Sequence, residues 1–377
     1  TWDNVINWNQ TFNKDHSVGL MGLFSLQSSN TEGSLYSGTN TSLVGADWWA
    51  MQNFVQNASG CSTSYTEYSM ISYALRANYA YKNKYLLTAT VRWDGSSKFA
   101  DGNRWGSFPS VAAAWRITEE DFMKKIDWLS NLKLRVAYGV TGNCFGIGNY
   151  ATQSVPTRYG IYPGMTTGYI SSGVVDTNLQ WEKSHEFNVG LDFGFFNNRI
   201  SGSIDWYNKK STDLLYQVTL PLEAGLQNND PIKLTTNIGS VRNQGLEVAL
   251  TGVVIDKKDL NWTVSANFST NKNEVLEYNV NRKYPTSWAW VTPIHAAGYP
   301  MYGLFGYNFA GLDDKGQTLI FGADGEKKLA SACTVDDIVY LGTAVPKTDM
   351  ALTNNFSYKN WNLSFMFIAK LGHKYRK

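Results

Sequence analysis

Long hydrophobic runs are missing from this sequence: none approaches the roughly 18 residues that a membrane helix requires, and mean hydropathy is −0.30. A helical membrane protein is excluded. Histidine is scarce, with His16, His185, His295 and His373 scattered along 377 residues. HExxH, a nucleophile elbow, a Walker loop and a glycine-rich dinucleotide turn after a strand are all absent. Carboxylates are numerous but in no placement that suits acid–base work, so enzyme chemistry has no residues to rest on. Cys61, Cys144 and Cys333 are an odd set without CxxC or Cys/His spacing, which argues against zinc. One disulfide among them and three free thiols both remain open. Charge of one sign is lacking too: 33 Lys and Arg offset 31 Asp and Glu for a net +2. With no basic cluster or stripe, nucleic-acid binding is excluded.

What the chain has is aromatic side chains, 14% of residues with 14 Trp and 22 Tyr, together with 33 Gly. That mixture suits many strands joined by turns. Period-2 alternation recurs throughout. Trp262, Val264, Ala266 and Phe268 alternate with Thr263, Ser265, Asn267 and Ser269, giving one apolar and one polar face, which no helix can produce. The same grammar runs through Phe187–Phe195, Ile200–Tyr207, Leu87–Asp94 and Leu132–Gly139.

Alternation alone also fits a soluble β-sandwich, for example a secreted or surface carbohydrate-binding module. Connector lengths separate the two. About a dozen strands of roughly ten residues are expected, and their connections alternate between short and long. Short ones are Asn13-Lys14-Asp15, Lys82-Asn83-Lys84, Asn197-Asn198, Asp256–Asp259 and Lys359-Asn360, with a longer member over Thr118–Asn131 that reads as a short helix, Glu119-Glu120-Asp121 leading to Lys124-Lys125. Long ones run approximately over Ser29–Ser69, Ser97–Ser107, Asn143–Gln180, Lys210–Thr235 and Glu277–Val345. Turns on one side and loops on the other is the plan of an outer-membrane barrel, with the turns periplasmic. Trp93, Trp115, Tyr138, Trp181, Tyr207, Tyr358 and Trp361 lie near strand ends, where an interfacial girdle would place them. The fold class is therefore all-β, a transmembrane antiparallel outer-membrane β-barrel of which about a dozen strands are present. On this alternation Arg76, Arg92, Asp94, Arg116, Arg135, Asp192, Asp205 and Glu247 face the lumen.

Several ordered stretches closely resemble the SusC/RagA family of TonB-linked outer-membrane proteins. They include Tyr73–Tyr79, Lys84–Thr90, Asp94-Gly95-Ser96-Ser97-Lys98-Phe99, Trp105–Ser110, Tyr138–Asn143, Asn197–Ile200, Asn243-Gln244-Gly245-Leu246-Glu247 and Asn271–Val275. The resemblance covers Ser69 to the end well and the first part weakly. It implies a barrel of about 22 strands, wide enough to need a plug, capped by a SusD-like lipoprotein lid and importing glycans or peptides with energy from the TonB complex. The chain opens in mid-pattern at Thr1-Trp2-Asp3 and stops on His373–Lys377. Residues 1–377 are accordingly expected to be a barrel segment, without the N-terminal plug, the TonB box and the last strands. A passive diffusion porin is the other transport reading.

Under the resemblance, the lumenal charges become candidate plug contacts. Trp48, Trp49, Trp105, Tyr159, Tyr162, Trp288 and Trp290 become candidate substrate or lid contacts in outer loops. Asp94–Lys98 reads as a polar strand exit and turn. The acids Asp313-Asp314, Asp324-Gly325-Glu326 and Asp336-Asp337 do not complete a calcium-loop ladder, so neither a metal nor a cofactor is expected.

Overall fold

The computed structural model describes residues 1–39, 55–56, 61–154, 156–158, 169–171, 174–227, 230–278 and 296–375. Twelve long strands make one antiparallel sheet in which each pairs with its neighbours along the chain. They are β1 (Trp2–Phe12), β2 (His16–Leu35), β3 (Ser62–Tyr81), β4 (Tyr85–Ser96), β5 (Trp105–Arg116), β6 (Leu129–Asn143), β7 (Glu182–Phe195), β8 (Ile200–Thr212), β9 (Ser240–Lys257), β10 (Leu260–Glu277), β11 (Thr348–Tyr358) and β12 (Trp361–Leu371).

Register carries the alternation from strand to strand, because a one-residue slip would turn every side chain to the wrong face. One row reads Trp8, Leu20, Ala77, Ala89, Val111, Tyr138, Phe187 across seven strands. Another reads Leu134, Leu191, Ile204, Val248, Phe268, Met350. This apolar face stays exposed, with Leu75 at 57% and Val111 at 46%. A sandwich would bury that face under a second sheet, so the single exposed sheet excludes it.

Two aromatic bands bound the face. At the short-turn edge Tyr81, Tyr85 and Trp115 are neighbours in register with rings stacked at 6.4 Å. At the other edge Trp2, Phe24, Tyr73 and Trp105 follow one another at 6.1, 5.3 and 6.0 Å. Tyr73 and Tyr81 are eight residues apart on β3, about 26 Å along a strand and about 20 Å along the membrane normal at the usual tilt. An outer-membrane barrel carries an apolar band of about that height. Trp181 and Tyr207 are not part of either girdle. Trp181 is buried at the outer rim, and Tyr207 lies on the polar face, where its hydroxyl donates to Asn271 Oδ1 at 3.2 Å.

The alternation of connector lengths holds with one exception: residues 13–15, 82–84, 196–199, 258–259 and 359–360 are short links and 36–61, 97–104, 144–181, 213–239 and 278–347 are longer ones, but 117–128, on the short side, exceeds 97–104. Three of the short links place asparagine or lysine at consecutive positive φ, Asn13-Lys14, Lys82-Asn83 and Asn197-Asn198, the backbone that tight hairpins require. Three expectations are corrected. Strands run 11 to 20 residues rather than roughly ten, since β2 and β3 stay paired out to Leu35 opposite Ser62, inside the expected Ser29–Ser69 loop. Residues 117–128 hold no α-helix, only a 3-10 turn at Ile117–Glu119 followed by hydrogen-bonded turns Met123 N to Glu120 O and Ile126 N to Met123 O. So short a segment cannot offset the cost of helix nucleation. The last long loop contains a four-stranded sheet of its own, ordered Lys327–Leu329, Thr318–Phe321, Gly303–Leu312, Ile338–Thr343.

Candidate functional site

All eight candidate charges lie on the polar face but in different rows, and the structure brings only two groups into contact, Arg135 with Asp192 and Asp205, and Arg92 with Asp94. Arg76 lies opposite Thr90, Arg92 opposite Ala74, Asp94 opposite Ser72, Arg116 opposite Lys133, Lys133 opposite Asp192, and Asp205 opposite Glu247. Arg135 is central: its guanidinium reaches Asp192 at 2.7 Å and Asp205 at 2.9 Å, bridging β6, β7 and β8. Lys133 adds a longer contact to Asp192 at 3.7 Å. A forked guanidinium fits two carboxylates better than an ammonium could. Toward the loop side Arg92 Nε bonds both oxygens of Asp94 at 2.8 Å and its Nη2 donates to Ser72 Oγ at 3.0 Å. Arg76 Nε donates to Thr90 Oγ1 at 3.2 Å.

One row of this wall is not balanced. Asp205 on β8 stands directly opposite Glu247 on β9, a like-charge pairing that costs free energy. Asp205 is neutralised by Arg135, whereas Glu247 makes no ion pair among the described residues. Further along the same row come Ser269, Asp349 and Lys370 on β10, β11 and β12. Sequence reasoning passed over Asp349 and Lys370: β11 alternates, but in β12 the run Phe365–Ala369 is apolar on both faces and obscures the face to which Lys370 belongs.

The outer rim departs most from expectation. The strand exit and turn expected at Asp94–Lys98 are present, with β4 ending at Ser96 and a turn at Ser97-Lys98, but the segment through Phe99 is largely buried, with Phe99 at 1% and Lys98 at 6% exposure. Phe99 packs with Phe108, Cys144, Ile147, Leu179 and Trp181, gathered from the link after β4, from β5 and from the long loop after β6. Phe108 holds a polar-face position, and its ring occupies the space that side chains at Gly106 and Gly142 would need: a Cβ on Gly142 would lie 2.1 Å from it. Lys98 Nζ donates to the Ile147 carbonyl at 3.1 Å and sits over the rings of Tyr68 and Phe145, at 5.0 and 5.6 Å. Burial pushes the Cys144 thiol pKa up. Cys61, Cys144 and Cys333 are all free. The one legible signal for this core was an aromatic at 108 in a register row reserved for polar side chains.

Of the loop aromatics, Trp48, Trp49, Tyr159, Tyr162, Trp288 and Trp290 lie outside the described residues. Trp105 opens β5 on the apolar face, stacked on Tyr73 and covering Gly95, where a Cβ would meet its ring at 2.9 Å. Its position belongs to the girdle. The acids of the last loop serve its own turns. Asp337, 2% exposed, accepts from Lys328 Nζ at 2.6 Å, from the backbone N–H groups of Thr334 and Ala323, and from the Thr334 hydroxyl. These donors, the lysine first, hold its carboxyl well below the usual range. Asp313 Oδ1 accepts from the backbone N–H of Lys315 and Gln317, and Asp324 Oδ1 from that of Glu326.

A single antiparallel sheet with one exposed apolar face, two aromatic bands and a charged opposite face defines the wall of an outer-membrane β-barrel. Residues 1–365 match the family model described as TonB dependent receptor-like, beta-barrel, and the chain belongs to that family, whose members are transporters rather than enzymes. It is 36% identical over 326 residues to the TonB-dependent receptor SusC of Bacteroides thetaiotaomicron, covering 82% of this chain and 32% of that protein. It is 34% identical over 325 residues to the TonB-dependent receptor P39 of Formosa agariphila, covering 86% and 30%. The structure of the RagAB peptide importer in the closed-closed state superposes with a TM-score of 0.85 at 27% identity, over 98% of this chain and 41% of that one. This chain thus spans about a third of the curated relatives it matches.

Proposed function

We propose that this wall belongs to a TonB-dependent importer of glycan or peptide nutrients that works with a SusD-like surface lipoprotein, and that the charged row on its polar face seats the plug. The observation that carries the second part is Glu247, which stands opposite another acid and makes no ion pair among the described residues. A wall strand can retain such a group when a partner inside the lumen supplies the positive charge, and a barrel of this width requires a partner there. TonB engages through a region outside these residues, and oligosaccharide or peptide passes between wall and plug. Likeness to SusC and to RagAB supports the reading, and RagAB, by its name, imports peptide.

Import by the full-length protein tests it. Glu247→Gln is expected to lower TonB-dependent uptake at least ten-fold while heat-modifiable migration, the mark of a folded barrel, is kept. Unchanged uptake and unchanged plug retention in Glu247→Gln and Asp205→Asn together would show that the row is a hydrated wall and nothing more. A passive diffusion porin would differ by moving solute in a strain lacking TonB.

A further inference from the structure

Above the last β3–β4 pair, Met70 opposite Ser96, β4 leaves the sheet and the outer end of β3 borders a polar cavity of 380 Å³. Its walls include Glu67 and Tyr68 from β3, Arg104 from the turn before β5, and Asn149, Tyr150 and Gln153 from the segment after β6. Three separate elements thus converge on one space, and each is held by a contact of its own. Lys98 fastens the Asn149–Gln153 segment through the Ile147 carbonyl. Trp181 Nε1 donates to the Arg104 carbonyl at 3.0 Å, and Arg104 Nε to the Phe99 carbonyl at 3.3 Å. The Glu67 backbone N–H donates to the Tyr150 hydroxyl at 3.1 Å. The cavity is therefore set before any ligand arrives, which lowers the entropy cost of binding.

The lining indicates the ligand class. Its one acid and one base, Glu67 and Arg104, offset each other, so the lining carries no net charge; the Tyr65 hydroxyl also donates to Glu67 at 2.8 Å, and Arg104 also pairs with Asp101 at 2.9 Å. The side-chain amides of Asn149 and Gln153 make no hydrogen bond among the described residues and remain available. Planar amide, carboxylate and guanidinium groups beside two phenol rings suit a neutral ligand with many hydroxyls and an apolar ring face. A peptide would be expected to add to the open edge of β3. That edge is already occupied: the Ser69 N–H donates to Ser97 Oγ at 2.9 Å, the Ser97 N–H to the Ser69 carbonyl at 3.0 Å, and Tyr150 takes the Glu67 N–H.

We propose that this rim cavity is a capture site for a neutral saccharide, an inference that rests on the importer reading and selects the glycan branch of it. The test is calorimetric titration of the full-length protein in detergent with maltohexaose, xylohexaose and mannohexaose, and with an end-capped uncharged hexapeptide as comparison. One hexasaccharide is expected to saturate, with Gln153→Ala and Glu67→Gln each weakening it about ten-fold, the effect of losing a hydrogen bond, while both variants keep heat-modifiable migration. Saturation by none of the three sugars, equal binding in the variants, or a peptide that binds with the same sensitivity to them would each overturn the assignment. Glu247→Gln, far from the rim, is expected to bind the sugar normally. Loss of import in that variant therefore tests the plug row alone, and loss of sugar binding in Gln153→Ala tests the rim alone.

Discussion

Lys98 and Phe99 show how little separates a loop from a core at the level of single residues. The Lys98 ammonium is buried with no carboxylate partner among the described residues; a carbonyl and two ring faces replace part of its hydration. In Lys98→Met the aliphatic stem is kept but the Ile147 carbonyl loses its donor, a cost of about 1–3 kcal/mol. That loss is expected to appear locally, as faster proteolysis of residues 144–153 with the barrel itself still heat-modifiable. Gly142 sets a second limit. Its missing Cβ is the room in which the Phe108 ring sits, so Gly142→Ala is expected to displace the ring and cost about 1–3 kcal/mol. In a Phe108→Ala background the same change should cost little, because the clash has been removed. Additive losses in thermal stability across the four proteins would show that the two residues do not share that space.

Among elements, the 117–128 link responds to pH. Glu120 accepts from Tyr85, Trp115 and Lys84, at 2.6, 3.1 and 3.2 Å. These donors, Tyr85 first, hold its carboxyl below the ordinary value of 4.5. A carboxyl whose pKa is lower in the folded state stabilises that state above the ordinary value, and the contribution is lost as pH falls through the lowered one. Amide hydrogen exchange of residues 117–128, corrected for intrinsic rate, should therefore be flat near neutral pH and should accelerate below about 4.5. Glu120→Gln should remove that acid limb. The charges of this link were legible in the sequence, but their use was not. Glu119-Glu120-Asp121 before Lys124-Lys125 has the polarity of a helix, and nothing local reveals that Glu120 reaches across to β4 and β5. Strand faces were legible because period 2 is local; Trp262–Ser269 assigns itself without a partner. The outer sheet of the last loop was not, since Asp337 binds Ala323 and Lys328 through pairings that period and composition leave unmarked.

At the scale of the whole molecule, the parity of connector lengths and the two faces located the charged wall from the sequence, and register then placed Arg135 between Asp192 and Asp205. The rim remained hidden because Phe99, Phe108 and Leu179 meet only after the β4–β5 link, β5 and the loop following β6 converge. Both faces make opposite demands on substitution. Leu191→Arg, in the middle of the apolar face, should cost about 2–4 kcal/mol, whereas Ser203→Arg on the polar face should cost little; urea midpoints of the two variants in liposomes measure the difference.

The most direct measurement is a nitroxide scan of β10, residues 262–269, in the full-length protein reconstituted into bilayers, with Cys61, Cys144 and Cys333 replaced by serine. Labels at 262, 264, 266 and 268 should be relaxed by lipid-soluble oxygen, and labels at 263, 265, 267 and 269 should not. Oxygen relaxation that fails to alternate, or that is absent from every position, would contradict the assignment of this sheet to a membrane wall.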